Sequence, residues 1–221
     1  MLEVRQLNVW NGAAQALFDV SLSVGSGELV VLQGLNGAGK STLLQAIMGL
    51  SPRATGAISY QNRSILGDEP HHIARRGLGY VPEDRRLFTG LTVQENLLIA
   101  ARFGPAAADA ASHTTLRARQ DHVLNLFPAL QGMLARKAAH MSGGEQQMLS
   151  IARTLMTGPS LLLLDEPCEG IAPVLVESIR DALLQLKSEG MPMLVAEQNA
   201  ILASRADRVI TLVAGQIAQH V

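Results

Sequence analysis

Cysteine is almost missing from this sequence. Of 221 residues, one is cysteine, Cys168. That excludes an internal disulfide framework and is compatible with a reducing compartment. An excess of one charge is missing too. Eighteen basic residues face nineteen acidic ones, for a formal net charge of -1. Such a balance argues against bulk nucleic-acid binding and against a polybasic membrane anchor. Long hydrophobic runs are absent. The densest, Leu29–Leu32 and Leu161–Leu164, each hold four residues, far short of the roughly 18–20 that cross a bilayer. The opening stretch MLEVRQLNVW has no basic region leading into an apolar run, so a signal peptide is not expected. The chain is expected to be soluble and intracellular, reaching a membrane only through a partner. What it has in plenty is apolar residue, 48% of the total. That is enough to bury a core without staples and to exclude disorder. The length suits one large domain, or one domain with a modest insertion.

No tandem repeat is present. The stretch Ala100–Ser112 is rich in alanine and small residues, and the region after it is helix-prone. Val123, Leu124, Leu126 and Phe127 recur at near-helical spacing, and Pro128 and Gly132 interrupt the pattern. Residues from about 89 to 140 read as a helical insertion. The flanks alternate strand and helix signals. Glu3–Val9 and Leu17–Val24 alternate apolar and polar residues, as strands with one wet face do. Further strands are expected at Leu29–Gln33, Leu78–Val81, Leu161–Leu164, Pro192–Ala196 and Arg208–Val213. Helices are expected at Ser41–Met48, Gly144–Met156 and Val174–Lys187. The alternation predicts an α/β fold with a largely parallel sheet and an antiparallel pair at the N-terminus.

Three motifs carry chemistry. Gly34-Leu-Asn36-Gly37-Ala38-Gly39-Lys40-Ser41 matches the phosphate-binding loop, with a short apolar strand before it and a helix beginning at Thr42 after it. Glycines let backbone N–H groups converge on phosphate oxygens. The helix N-terminus adds unpaired donors and a favourable dipole. Lys40 can reach the β- and γ-phosphates, and the Ser41 hydroxyl can ligate Mg2+. The second motif, Leu161–Leu164 followed by Asp165 and Glu166, reads as a buried strand presenting acid at its C-terminal edge, where ligands bind in open α/β sheets. Asp165 can hold the Mg2+ hydration shell, and Glu166 can polarise an attacking water. Alone, such a pair is more often a solvated strand end; the phosphate loop upstream changes the reading. The third is Met141-Ser142-Gly143-Gly144-Glu145, a helix start with Ser142 as a plausible N-cap.

In this order the motifs resemble the ATP-binding subunits of ABC transporters over essentially the whole chain. The resemblance implies a P-loop NTPase core with an N-terminal antiparallel β subdomain and a helical insertion, ATP and Mg2+ as ligands, and a head-to-tail dimer. In such a dimer Ser142, Gly143 and Gly144 of one subunit would touch the γ-phosphate bound by the other. Gly79-Tyr80-Val-Pro-Glu83 resembles the segment that carries the Q-loop glutamine, which implies a catalytic and Mg2+-ligating position for Glu83. Ala196-Glu197-Gln198-Asn199 stands where most members carry the switch histidine, here Gln198. Together with Glu169-Gly170-Ile171-Ala172-Pro173, these segments are similar to the ATPases of branched-chain amino acid importers and of their urea and amide relatives. Such importers pair the ATPases with membrane permeases on the cytoplasmic face and with an external solute-binding protein.

The sequence departs from the family at several positions. Asn11 stands where the adenine-stacking aromatic is usual, which leaves the neighbouring Trp10 as the candidate stacker or as a strand residue. Met141 and Glu145 replace Leu and Gln in the signature, and Glu145 would repel phosphate unless it faces away. Cys168 is expected to be a packed small residue. The pair His71-His72 has no metal spacing and reads as surface. Two other readings stay open: a non-transport ABC ATPase acting on ribosomes or DNA, which a single cassette argues against, and a weakly active member of a heteromeric pair.

Overall fold

The computed structural model describes residues 1–105, 113–198 and 200–218. Most of the Ala-rich stretch, and Asn199, lie outside them. The chain opens with strands β1 (Leu2–Asn11) and β2 (Ala14–Val24), then β3 (Leu29–Gln33) and helix α1 (Lys40–Ile47). Strands β4 (Arg53–Tyr60) and β5 (Arg63–Ser64), helix α2 (Pro70–Arg75) and strand β6 (Leu78–Val81) come next. Helices α3 (Val93–Ala100), α4 (His113–Leu126) and α5 (Pro128–Gln131) follow, with a 3-10 turn at Ala138–His140 and then α6 (Gly143–Leu155). The chain continues through β7 (Leu161–Asp165), α7 (Pro173–Ser188), β8 (Met193–Ala196), α8 (Ala200–Ala203), β9 (Arg208–Val213) and β10 (Gln216–Ile217). The expected strands and helices are present, with ends displaced by a few residues. His71 and His72 are exposed on α2.

Two sheets result. One is antiparallel, in the order β2-β1-β4-β5; the other runs β10-β9-β3-β8-β7-β6. In the second, β9, β3, β8, β7 and β6 are mutually parallel and only β10 is antiparallel. The fold is thus the expected α/β architecture with a largely parallel sheet and an antiparallel N-terminal pair.

The simple alternation expected of β1 and β2 is broken. In β1 the buried positions are Leu2 and Val4, then Leu7 and Val9; in β2 they are Leu17, then Val20, Leu22 and Val24. The parity changes where Gln6 (φ 46°) and Asp19 (φ 48°) turn left-handed and the pairing register shifts. Such bulges return the apolar residues to one face after an extra residue. Asn8 fixes the spot: its Nδ2 donates to Asp19 Oδ1 at 2.8 Å, and Asp19 N donates to its Oδ1 at 3.1 Å.

The central parallel strands are buried on both faces, which explains their near-continuous Val and Leu content. Val31, Leu162, Leu164 and Val195 pack on one side with α3, α6 and α7. Val30, Leu32, Leu161, Leu163 and Leu194 pack on the other with α1 and the antiparallel sheet. Because the strands are parallel, β3, β6, β7 and β8 all end at the same edge of the sheet. The phosphate loop, Glu83, Asp165-Glu166 and Gln198 each follow one of those ends. Among the described residues no helix is long and apolar enough to cross a membrane.

Leu163 is fully buried on the central strand β7. Leu163→Ala should lower unfolding stability by about 2–5 kcal/mol, measured by urea denaturation with an unchanged m-value. A loss below about 1 kcal/mol would show that this layer of the core collapses around the deletion.

Candidate functional site

The loop between β3 and α1 is shaped by close approach. A Cβ on Gly34 would lie 2.4 Å from the Leu212 carbonyl oxygen. Gly39 has φ 105°, and a Cβ there would meet Leu17 Cδ2 at 2.7 Å. Larger residues at either position would push the loop off the strands that support it. Gly39 is also the N-cap of α1, with no side-chain cap. The first amides of that helix are therefore left to a ligand.

Lys40 begins α1 yet is only 4% exposed. Its ammonium donates to the carbonyls of Gly34 at 2.7 Å and Leu35 at 3.2 Å, and lies 3.0 Å from Glu166 Oε1. Glu166 is buried as well and has φ 46°, a conformation side chains rarely adopt. The left-handed turn after β7 directs its carboxylate back toward the loop. Gln198 Nε2 donates to Glu166 Oε1 at 3.4 Å and to Asn36 Oδ1. Lys40, Glu166, Gln198 and Asn36 form one connected polar network.

Asp165 lies beside it. Its Oδ1 accepts from Ser41 Oγ at 2.9 Å and its Oδ2 from the Tyr80 hydroxyl at 3.2 Å. Burial pushes the Asp165 carboxyl up to about 6; the nearby charges of Glu83 and Glu166 add to the rise, and the Ser41 and Tyr80 hydrogen bonds oppose it. Burial, and then the charge of Asp165, push the Tyr80 phenol upward, so it stays a donor. A hydroxyl and a carboxylate at this spacing are hard oxygen donors of the kind Mg2+ accepts, and a buried carboxylate would gain from a cation. The described residues hold no cluster of three or more His, Cys, Asp or Glu able to bind a metal alone. Mg2+ needs none where phosphates and waters complete its shell.

A cavity of roughly 540 Å³ opens beside these groups, lined by Asn36, Gly37, Gly39, Lys40, Ser41, Thr42, Glu83 and Glu166, among others; Asp165 sits behind Ser41 and does not itself line it. The cavity's size suits a nucleotide. Gly34 and Ala38 line an adjoining hollow with Gln198. Trp10, read as a candidate stacker or a strand residue, lies on β1 and lines neither. The Arg53 guanidinium lies over its ring at 4.4 Å from the centroid, so that face is already taken. Asn11, Gln15 and Phe18 form the cavity wall on that side.

Ser142, Gly143 and Gly144 do not line the cavity. Ser142 caps α6 in a reciprocal box: its backbone N–H donates to Glu145 Oε2 at 2.7 Å and its Oγ accepts from Glu145 N at 3.4 Å. Arg136 lies 3.8 Å from Glu145. Glu145 is thereby turned back onto its own helix start, with its charge partly offset. Ser142 and Gly143 are exposed, while Gly144 is buried where a Cβ would meet Leu175 at 2.3 Å.

Tyr80, Glu169 and Glu197 belong to the site although sequence reasoning gives them no role there. Glu169 lines the nucleotide-sized cavity. Glu197 is buried and accepts from the backbone N–H of Cys168 at 3.2 Å and of Gln198 at 2.9 Å. Cys168 packs there with a thiol that burial holds protonated, as expected of a packed small residue. Tyr80 lies within the Gly79–Glu83 segment, but only the pairing of β6 with β7 brings its hydroxyl to Asp165.

A parallel sheet that sets a glycine-rich phosphate loop, a lysine and an Asp-Glu pair at one edge defines a P-loop nucleotide-binding protein. The profile of the ABC transporter family matches residues 17–169. The chain is 42% identical to the high-affinity branched-chain amino acid transport ATP-binding protein BraG of Pseudomonas aeruginosa, over 100% of this chain and 92% of BraG. It is 34% identical to a probable branched-chain amino acid transport ATP-binding protein, LivF of Archaeoglobus fulgidus, over 99% of this chain and 90% of that protein. Its structure is similar to the dimeric ATP-binding cassette MJ0796 bound to ADP and Pi, with a TM-score of 0.86, 26% identity, and 99% and 97% of the two chains covered. The chain belongs to the ABC transporter family and is one of its ATP-binding, ATP-hydrolysing subunits.

The raised Asp165 pKa has a consequence for stability. A carboxyl raised by folding contributes stability that is fully present below its unfolded pKa, near 4, and lost as pH rises through about 6. Without Mg2+ or nucleotide, Asp165→Asn should be more stable than wild type at pH 8, by about 1–3 kcal/mol, with the gain vanishing near pH 4. Denaturant unfolding across that range checks it; an equal or lower stability at pH 8 contradicts it.

Proposed function

We propose that this chain powers an importer of branched-chain amino acids or of related small polar solutes such as urea and amides. It would work at the cytoplasmic face of the membrane through permeases, with an external solute-binding protein supplying the cargo. The transport names of BraG and LivF support this reading, and favour it over action on ribosomes or DNA. The observation that carries the chemistry is the buried Lys40–Glu166 pair at the mouth of the phosphate loop.

In this reading the loop amides of Gly37, Ala38, Gly39, Lys40, Ser41 and Thr42 hold the phosphates of ATP. Ser41, Asp165 and Glu83, which follows the neighbouring strand β6, would hold Mg2+, which would neutralise charge on the phosphates. Lys40 turns from Glu166 to the γ-phosphate. Glu166, released, accepts a proton from the attacking water. Gln198 donates to the γ-phosphate from the other side, with Asn36 fixing its amide. Ser142, Gly143 and Gly144 lie outside the cavity, so they reach a nucleotide only across an interface between two ATPase subunits. There the capped start of α6 presents backbone donors. Glu145, folded back on Ser142, takes that residue's N–H for itself and leaves the amides of Gly143 and Gly144 for the contact. The helical segment between β6 and α6, with the Glu83 loop, is the surface offered to a permease.

Glu166→Gln should lower ATP turnover by about 10²–10⁴-fold while leaving ATP bound in a dimer, read by phosphate release and by light scattering. Hydrolysis at the wild-type rate would remove Glu166 from the role of base. Glutamine has no ionisation in the physiological range, so Gln198 should contribute no step near pH 6.5 to the profile of kcat. A step there that disappears in Gln198→Ala would contradict its assigned role.

A further inference from the structure

Between Glu83 and the start of α6 lies a set of contacts that neither nucleotide binding nor the chemistry requires. Arg85 and Arg86 are both left-handed, at φ 60° and 47°, a pairing that L side chains rarely adopt and that surroundings must enforce. Helix α6 enforces it. Ser150 Oγ donates to the Arg85 carbonyl at 3.0 Å, and the Arg153 guanidinium donates to the same carbonyl at 3.0 Å and to that of Arg86 at 2.7 Å. Arg153 also lies over the Phe88 ring, at 5.5 Å from the centroid. In return the Arg85 side chain runs back toward the N-terminus of α6. Its Nε donates to Gln147 Oε1 at 3.1 Å and its Nη1 to Gln146 Oε1 at 3.3 Å. A Cβ on Gly143 would sit 3.4 Å from the guanidinium nitrogens.

The loop and the helix are therefore joined twice, once by backbone carbonyls and once by a planar fork. One end of this strap is two residues from Glu83, which lines the nucleotide cavity. The other end is at Gly143, exposed on the signature. Arg85 itself does not line the cavity.

We propose that Arg85 is a positioning residue that makes the Glu83 loop and the signature helix one body, so that what occupies a subunit's own nucleotide cavity sets where its Gly143 and Gly144 amides point toward the other subunit. The proposal rests on the reading that those amides serve a nucleotide held by a second copy. The fork is what matters: lysine keeps the charge but cannot donate to Gln146 and Gln147 in one plane.

The test is made in the Glu166→Gln background, by light scattering against ATP concentration, with ADP binding to the monomer measured in parallel. Arg85→Ala and Arg85→Lys should each need about tenfold more ATP to dimerise, a coupling of about 1.4 kcal/mol between strap and interface. ADP affinity should stay within about twofold, because a tenfold change alone would correspond to one lost contact in the cavity. Arg153→Met, which breaks the strap from the helix side, should shift dimerisation in the same direction. Dimerisation of all three at the parent's ATP concentration overturns the proposal, as does full rescue by Arg85→Lys. If Arg85→Ala no longer binds ADP, Arg153→Met decides by the same two readouts. If the Glu166→Gln parent itself does not dimerise with ATP, what fails is the two-copy reading of the signature, and the strap falls with it.

Discussion

A buried ammonium and a buried carboxylate, Lys40 and Glu166, face each other 3.0 Å apart with 4% and 5% of their side chains exposed. Neither charge is stable there alone; removing one partner of such a pair costs about 3–5 kcal/mol. Lys40 opens α1, which follows β3, whereas Glu166 follows β7. Strand β8 lies between those two strands, and Gln198 at its end completes the contact. The parallel order of the sheet, the glycines that let the loop close over Leu212 and Leu17, and the left-handed turn at Glu166 all serve to hold this pair. In the proposed mechanism a γ-phosphate replaces one half of it. Lys40 would turn to phosphate, and Glu166 would be left with an unpaired charge beside the place where water must be activated. On that reading the ion pair is both a structural constraint and a latch on the base.

The second carboxylate of the site is treated in the opposite way. Asp165 has hydroxyl partners in Ser41 and Tyr80 rather than an ammonium, and its carboxyl is raised toward neutrality. Two adjacent acids in one strand end are therefore set apart by their neighbours. One faces an ammonium at 3.0 Å; the other faces two hydroxyls and in the proposed mechanism would meet a metal brought with the phosphates. The cost falls on stability, and it is confined to the strand edge where function needs it.

Much of this is legible in the sequence because phosphate chemistry dictates spacing. The loop from Gly34 to Ser41 needs its glycines, lysine and hydroxyl at fixed offsets, and Asp165-Glu166 needs an apolar strand before it. The strands β3, β6, β7 and β8 are legible from short Val- and Leu-rich runs. Features that depend on partners remote in sequence are not. Tyr80 meets Asp165 only because β6 lies beside β7. The bulges at Gln6 and Asp19 are set by register between strands, and a strict alternation misreads them. Trp10 looks available for a base in the sequence, yet Arg53 from β4 lies over one face of its ring. The charge of Glu145 suggests conflict with phosphate; the structure instead ties it into a reciprocal cap with Ser142, a pattern of Ser and Glu three apart that the sequence does contain. The Arg85 strap has no sequence signal, because it joins a turn to a helix more than sixty residues later.

The most direct test of the latch is calorimetric titration of the monomer with ATP and with ADP, in wild type and in Glu166→Gln, without Mg2+. If Lys40 must leave Glu166 to meet the γ-phosphate, the variant binds ATP more tightly than wild type by about tenfold, and gains clearly less for ADP. Equal gains for the two nucleotides, or no gain for ATP, would mean that Lys40 is not shared between the carboxylate and the γ-phosphate, and the pair would be a structural contact only.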